Sequence, residues 1–110
     1  ELPNRICQLA HRTNFSKSGH LTDRHIAYYR RRAQGGCGLI IVGELAIHPD
    51  DRPWETLIEA HRPEVVANFK KLTDAIHQFD TRIMAQLNHH GFQSSGSVTR
   101  KSVLGPSART

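Results

Sequence analysis

Three short apolar runs alternate with two helical patterns along this chain. Residues 5–10 hold Ile6, Cys7, Leu9 and Ala10, a run of strand length. Thr22 is placed to cap a helix that opens on Asp23 and Arg24, where an acid suits the positive end of the helix dipole. Ile26, Tyr29 and Ala33 recur at i, i+3 and i+7 and share one face, and Gly35-Gly36 ends the helix. Residues 38–42 read Gly-Leu-Ile-Ile-Val, a continuous apolar run typical of a strand buried on both faces of a parallel sheet. In the 43–62 stretch, Pro49 and Pro53 prevent a long regular element. Pro63 then sits where a helix accepts its first proline, with Glu64 beside it. Val65, Val66, Phe69, Leu72, Ile76 and Phe79 form the stripe of a second helix. Residues 82–87 make a third strand with Ile83, Met84, Ala85 and Leu87, and everything after Asn88 has loop composition.

The order is β-α-β-α-β, which implies a parallel sheet with right-handed crossovers. The long segments 11–21, 43–62 and 88–110 all follow strands. In parallel α/β folds the binding residues sit at those carboxyl ends, so function is expected there. Two architectures fit: a doubly wound sheet, or the opening of a (β/α)8 barrel. The first strand-to-helix loop, 10–19, carries a single glycine and no GxGxxG, whereas a barrel needs about 250 residues to close.

The strand-end residues are His11, Arg12, Thr13 and Asn14 after the first strand, and Gly43, Glu44 and His48 after the second. The third strand contributes Gln86, then Asn88, His89, His90 and Gly91. Amides and imidazoles with a few glycines suit a planar polar heterocycle. Gln86 both donates and accepts, matching an alternating N–H and C=O edge; the plainer reading is that it satisfies a neighbouring backbone group. No metal is expected: the eight histidines show no ligand spacing, and His89 and His90 would point to opposite faces of a strand. His20, His25, His61 and His77 read as surface residues. Asp50-Asp51 reads as a turn rather than a carboxylate dyad, Cys7 as a core filler, Cys37 as structural, and Tyr28, Tyr29 and Trp54 as packing. No nucleophile motif such as GxSxG is present.

Composition narrows this further. At 37% hydrophobic and 23% charged residues, one globular domain at most is expected and disorder is not. No apolar run approaches the roughly 18 residues that cross a bilayer, so no membrane partner is expected. Two unpaired cysteines and no signal-peptide pattern point to a reducing, cytoplasmic setting. The termini, Glu1-Leu2-Pro3 and Ser107-Ala108-Arg109-Thr110, read as cut ends of a longer chain. A net charge of +5 and a pI near 9.8 raise nucleic-acid binding through Arg30-Arg31-Arg32 and Arg100-Lys101. Consecutive helix positions fan around the axis, however, and a solvated surface is the expected role.

The landmarks together carry a resemblance. Asn4-Arg5-Ile6, Leu21-Thr22-Asp23-Arg24, Ala27-Tyr28-Tyr29, Arg32-Ala33-Gln34-Gly35-Gly36, Gly38-Leu39-Ile40-Ile41-Val42, Ile47-His48-Pro49, Gln86-Leu87-Asn88-His89-His90-Gly91 and Gly105-Pro106-Ser107 follow in order. In order and spacing they resemble the N-terminal third of the old yellow enzyme family of FMN-dependent NADH:flavin oxidoreductases. That family includes branches similar to 2,4-dienoyl-CoA reductase and trimethylamine dehydrogenase. The stretch from Ala10 to Phe15, with Gln86 to Gly91, is similar to a mycofactocin-associated branch.

The resemblance implies an FMN-binding (β/α)8 barrel, with residues 1–110 as its N-terminal part, about three strands and two helices. It implies FMN with NAD(P)H as reductant, hydride transfer to an electron-poor alkene or related small molecule, and room for oligomers. Ala10, His11 and Arg12 match positions that run along the flavin. Glu44 matches a backbone contact, and Gln86 matches the glutamine that binds the pyrimidine edge. Arg12 stands where smaller residues are usual and would tune the flavin if it pointed inward. Phe92 stands where Arg is common. The family's catalytic residues and phosphate loops would lie beyond Thr110. The rival activities are C–N oxidation, as in the trimethylamine dehydrogenase-like branch, and the basic nucleic-acid-binding module.

Overall fold

The computed structural model describes residues 1–107; Ala108, Arg109 and Thr110 of the terminal reading lie outside the described residues. The elements run β1 (Cys7–Gln8), α1 (Asp23–Gln34), β2 (Leu39–Ala46), β3 (Ile58–Glu59), α2 (Val65–Ile76), β4 (Arg82–Asn88) and a 3-10 turn at Gly91–Gln93. All strand pairs are parallel. β4 follows one edge of β2 from Leu39 to Ala46, so β1 and β3 divide the other edge. The expected order therefore holds, with one addition: β3 forms inside the 43–62 segment, which the prolines had marked as irregular. The first strand is shorter than expected and the second longer, reaching the end of the apolar Leu45-Ala46 pair.

Both helices cover one face of the sheet. Tyr29, Ala33 and Cys37 meet Ile40, Val42, Leu45 and Ile58 of the sheet and Leu72 and Ile76 of α2 in one buried cluster. Val66 of the expected α2 stripe is exposed, because position 66 turns away from the Leu72–Ile76 face. The ends of the elements are pinned by short polar side chains. Asn4 donates to Gly36 O (2.9 Å) and accepts from Ile6 N–H (2.9 Å), and Thr81 donates to Cys37 O (2.7 Å). A Cβ at Gly38 would lie 2.6 Å from Asn4 Oδ1, which is why glycine follows Cys37.

Two readings are corrected. Cys7 is exposed, because β1 is an edge strand of two residues with little packed against it. His25 is buried, not on the surface: Thr22 N–H donates to its Nδ1 (3.1 Å), closing the first turn of α1 in the place usually held by a glutamate or glutamine. His61 is half-buried beside Glu59, Nε2 to Oε2 3.8 Å.

Glu59 welds the first two strand-to-helix segments together. Its buried carboxylate meets Arg52 (Nε to Oε1 3.0 Å) and Arg62, and its backbone N–H donates to Gly19 O (2.9 Å). Gly19 has φ +80°, and a Cβ there would lie 2.6 Å from the Glu59 side chain. Ser16 Oγ adds a bond to Leu57 O (2.9 Å), and Thr56 Oγ1 one to Asn14 Oδ1 (2.7 Å). Glu59→Gln removes the charge that two guanidiniums share, and because both retain solvent access the expected cost is about 2 kcal/mol. Thermal unfolding checks this, and a change under about 0.5 kcal/mol would show the cluster to be idle.

Candidate functional site

Alternation along β4 places Met84 and Gln86 on the face away from the helices, beside Leu39 and Ile41 of β2. The β2–β4 register shifts between Val42 and Leu45, and the Gly43–Glu44 peptide at this irregularity is cis. Arg12 bridges to Gly43 from the other side, so three chain segments meet at one point. A Cβ at Gly43 would lie 2.7 Å from Ala10 Cβ and 2.8 Å from Gln86 Oε1. Glycine at 43 is what lets Ala10 and Gln86 approach across β2. The Gln86 side chain is exposed and makes no hydrogen bond among the described residues. His11 is exposed at the same strand end.

Arg12 goes elsewhere. Its guanidinium lies over the Trp54 ring, 3.7 Å from the centroid, and 3.6 Å from Glu44 Oε1. Glu44 balances the positive charge expected to tune a flavin. Glu44 also accepts from Asn88 Nδ2 (3.1 Å), which lies 3.1 Å from His90 Nε2. The other ring nitrogen, Nδ1, contacts both oxygens of Asp51 at 3.1 and 3.0 Å, and His90 N–H donates to Oδ2 (2.9 Å). The Trp54 edge closes over His90 with centroids 5.1 Å apart.

Asp51 is 1% exposed. Burial opposes its ionisation, but the hydrogen bonds from the His90 backbone and ring and from the Ser94 hydroxyl outweigh it and hold the carboxyl below its ordinary range. The turn reading of Asp50-Asp51 is right for the backbone, where Asp51 N–H donates to His48 O (3.1 Å). The reading missed that the side chain reaches a residue 39 positions away. Trp54 carries Arg12 rather than merely packing. His48 and His89 face each other at 6.2 Å with exposed rings, and His89 Nδ1 accepts from Gly91 N–H (3.0 Å). Lys101 Nζ, 2.6 Å from Asp50 Oδ1, ties the last loop to this corner.

The residues present fit a flavin: an unengaged amide on an open face, a glycine whose missing side chain keeps that face flat, and imidazoles at the rim. The chain is 33% identical over 94 residues to an N,N-dimethylglycine/sarcosine dehydrogenase of Chromohalobacter salexigens, covering 83% of this chain and 14% of that protein. It is 35% identical over 91 residues to a probable N-methylproline demethylase of Rhizobium meliloti, covering 82% and 13%. Morphinone reductase superposes with a TM-score of 0.89 at 27% identity, over 98% of this chain and 29% of that one. The chain thus spans under a third of each, and its sheet is the opening part of a (β/α)8 barrel like that of morphinone reductase. With residues 1–110 also matching the family profile throughout, the chain belongs to the NADH:flavin oxidoreductase / NADH oxidase family.

Proposed function

We propose that residues 1–110 are the N-terminal part of a single FMN-binding barrel domain, and that the whole protein is an FMN-dependent oxidoreductase. The meeting of Ala10, Gly43 and Gln86 carries this reading. Gln86 offers its amide to the pyrimidine edge, Ala10 and His11 line the ring, and the backbone at Glu44 adds a contact. Arg12 stands at the rim, held by Trp54 and neutralised by Glu44. When bound, FMN would supply the redox chemistry, a hydride transfer between NAD(P)H and an electron-poor alkene or related small molecule. The open β4 edge supports the barrel reading: Met84 is 59% and Leu87 66% exposed, on opposite faces of the strand. In a closed barrel Met84 faces the interior and Leu87 the helical layer.

The second reading is C–N oxidation of a small N-methylated amine, favoured by the names of the dehydrogenase and demethylase relatives. A nucleic-acid role gains little from the basic runs. Arg32 lies over the Tyr28 ring and donates to Gln8, and Lys101 pairs with Asp50.

A visible spectrum of the full-length protein, before and after anaerobic NADH or NADPH, tests the reading. Flavin absorbance that bleaches supports it, and a colourless protein that ignores added FMN overturns it. Substrate-dependent bleaching by an N-methyl amine without nicotinamide would favour the second reading. Gln86→Leu keeps the volume and removes the amide, and is expected to weaken FMN about tenfold. An unchanged FMN titration would remove Gln86 from the site.

A further inference from the structure

With one hydrogen on the His90 ring, the Asp51–His90–Asn88–Glu44 chain has one consistent assignment of hydrogens. Glu44 Oε2 can only accept, so the Asn88 atom 3.1 Å from it is the NH2 group. That same nitrogen lies 3.1 Å from His90 Nε2, which must then accept the second hydrogen. At the opposite end, the buried Asp51 carboxylate accepts from Nδ1 and from the His90 backbone. Asp51 therefore fixes the Nδ1–H form of the ring, His90 consumes one Asn88 hydrogen and Glu44 the other. What remains of the Asn88 amide is its carbonyl oxygen, which makes no hydrogen bond among the described residues. Asn88 lies two residues beyond Gln86, on the same side of β4.

We propose that Asp51 and His90, together with Glu44, are positioning residues that set the polarity of the Asn88 amide, so that this end of the site presents an acceptor and selects a bound molecule carrying an N–H or O–H donor. The proposal rests on the reading of this face as the reaction site. The groups facing His90 are Asp51 from the 43–62 segment, Glu44 from β2, with Arg12 behind it, and the uncharged Trp54 edge. Reversing the device takes two changes, because Glu44 by itself still demands the Asn88 NH2 group. With Asp51→Asn an amide at 51 can donate to Nδ1 and the ring hydrogen can move to Nε2; with Glu44→Gln an amide at 44 can donate, so that Asn88 turns its oxygen inward. A merely structural Asp51 would change stability without changing which ligands bind.

The test uses the full-length protein with aniline as the donor probe and pyridine as the acceptor probe. Ring ¹⁵N shifts of His90 report the position of its hydrogen, and calorimetry gives the two affinities without needing flavin. Wild type is expected to show the Nδ1–H form and to prefer aniline. In the Asp51→Asn, Glu44→Gln double variant the ring is expected to switch form and the aniline-to-pyridine preference to fall about tenfold or more. Asn88→Leu, which leaves Asp51 and His90 in contact, is expected to lose the preference while keeping the Nδ1–H form, and it serves if the double variant does not fold. An Nε2–H or doubly protonated ring in wild type, or a preference that survives Asn88→Leu, overturns the proposal. A flavin-free protein would overturn the oxidoreductase reading while these measurements still decide the Asp51–His90 role.

Discussion

Changing Gly43 to alanine is expected to weaken FMN binding by about tenfold and to lower stability by about 1–3 kcal/mol. The added methyl group would stand 2.7 Å from Ala10 Cβ and 2.8 Å from Gln86 Oε1. Gln86 can swing aside at little cost, but Ala10 can retreat only by moving its backbone, which Arg12 links to Gly43. The overpacking therefore separates the first strand's end from β2 and displaces the amide offered to the flavin. FMN titration and thermal unfolding of the full-length variant check both parts. Lost stability with unchanged FMN affinity would show that Gln86 does not hold the cofactor. Unchanged stability would show that the strands yield more easily than the packing implies.

Acid is expected to destabilise the protein through His25, by at most about 3 kcal/mol. Burial lowers the His25 pKa from 6.5 to about 4, because the ring at the start of α1 cannot hydrate a charge. The sign follows from which state protonates first. Unfolded chains take up the proton near 6.5, whereas the folded ring stays neutral until about 4. The stabilising contribution is thus complete above pH 6.5 and is lost as pH falls toward 4. Thermal midpoints measured across that window give the slope. His25→Gln keeps an acceptor for Thr22 N–H and does not titrate, so its profile is expected to be flatter by that amount. Parallel profiles for the two proteins would remove His25 as the cause.

The helices were legible because each carries its own signal. Thr22 and Asp23 start α1, Gly35-Gly36 stops it, and Leu72 and Ile76 mark the buried face of α2. The β2 strand was legible from four consecutive apolar residues, but only Ile40 and Val42 are buried, against the helices, while Leu39 and Ile41 on the other face are half-buried. Gln86 stood out because its neighbours and spacing match a known pattern, and the structure leaves its amide free at an open strand end.

β3 escaped notice because two residues between loops have no periodicity to detect; what makes Ile58–Glu59 a strand is β2 alongside it. Cys7 looked like core because its composition is apolar, and its exposure depends on what flanks the sheet rather than on the residue. His25 looked like surface because helix propensity says nothing of burial.

The amino-acid sequence by itself determined the β-α-β-α-β order and the parallel sheet, and pointed to the strand ends for function. Those follow from local periodicity, capping and the handedness of crossovers. Only the tertiary structure decided the partners: Arg12 on Trp54, Asp51 with His90, Glu59 with Arg52 and Arg62. The physical reason is that a charge in a loop finds its partner wherever folding leaves another buried charge. Asp51 and His90, 39 residues apart, share no local pattern until β2 and β4 are side by side.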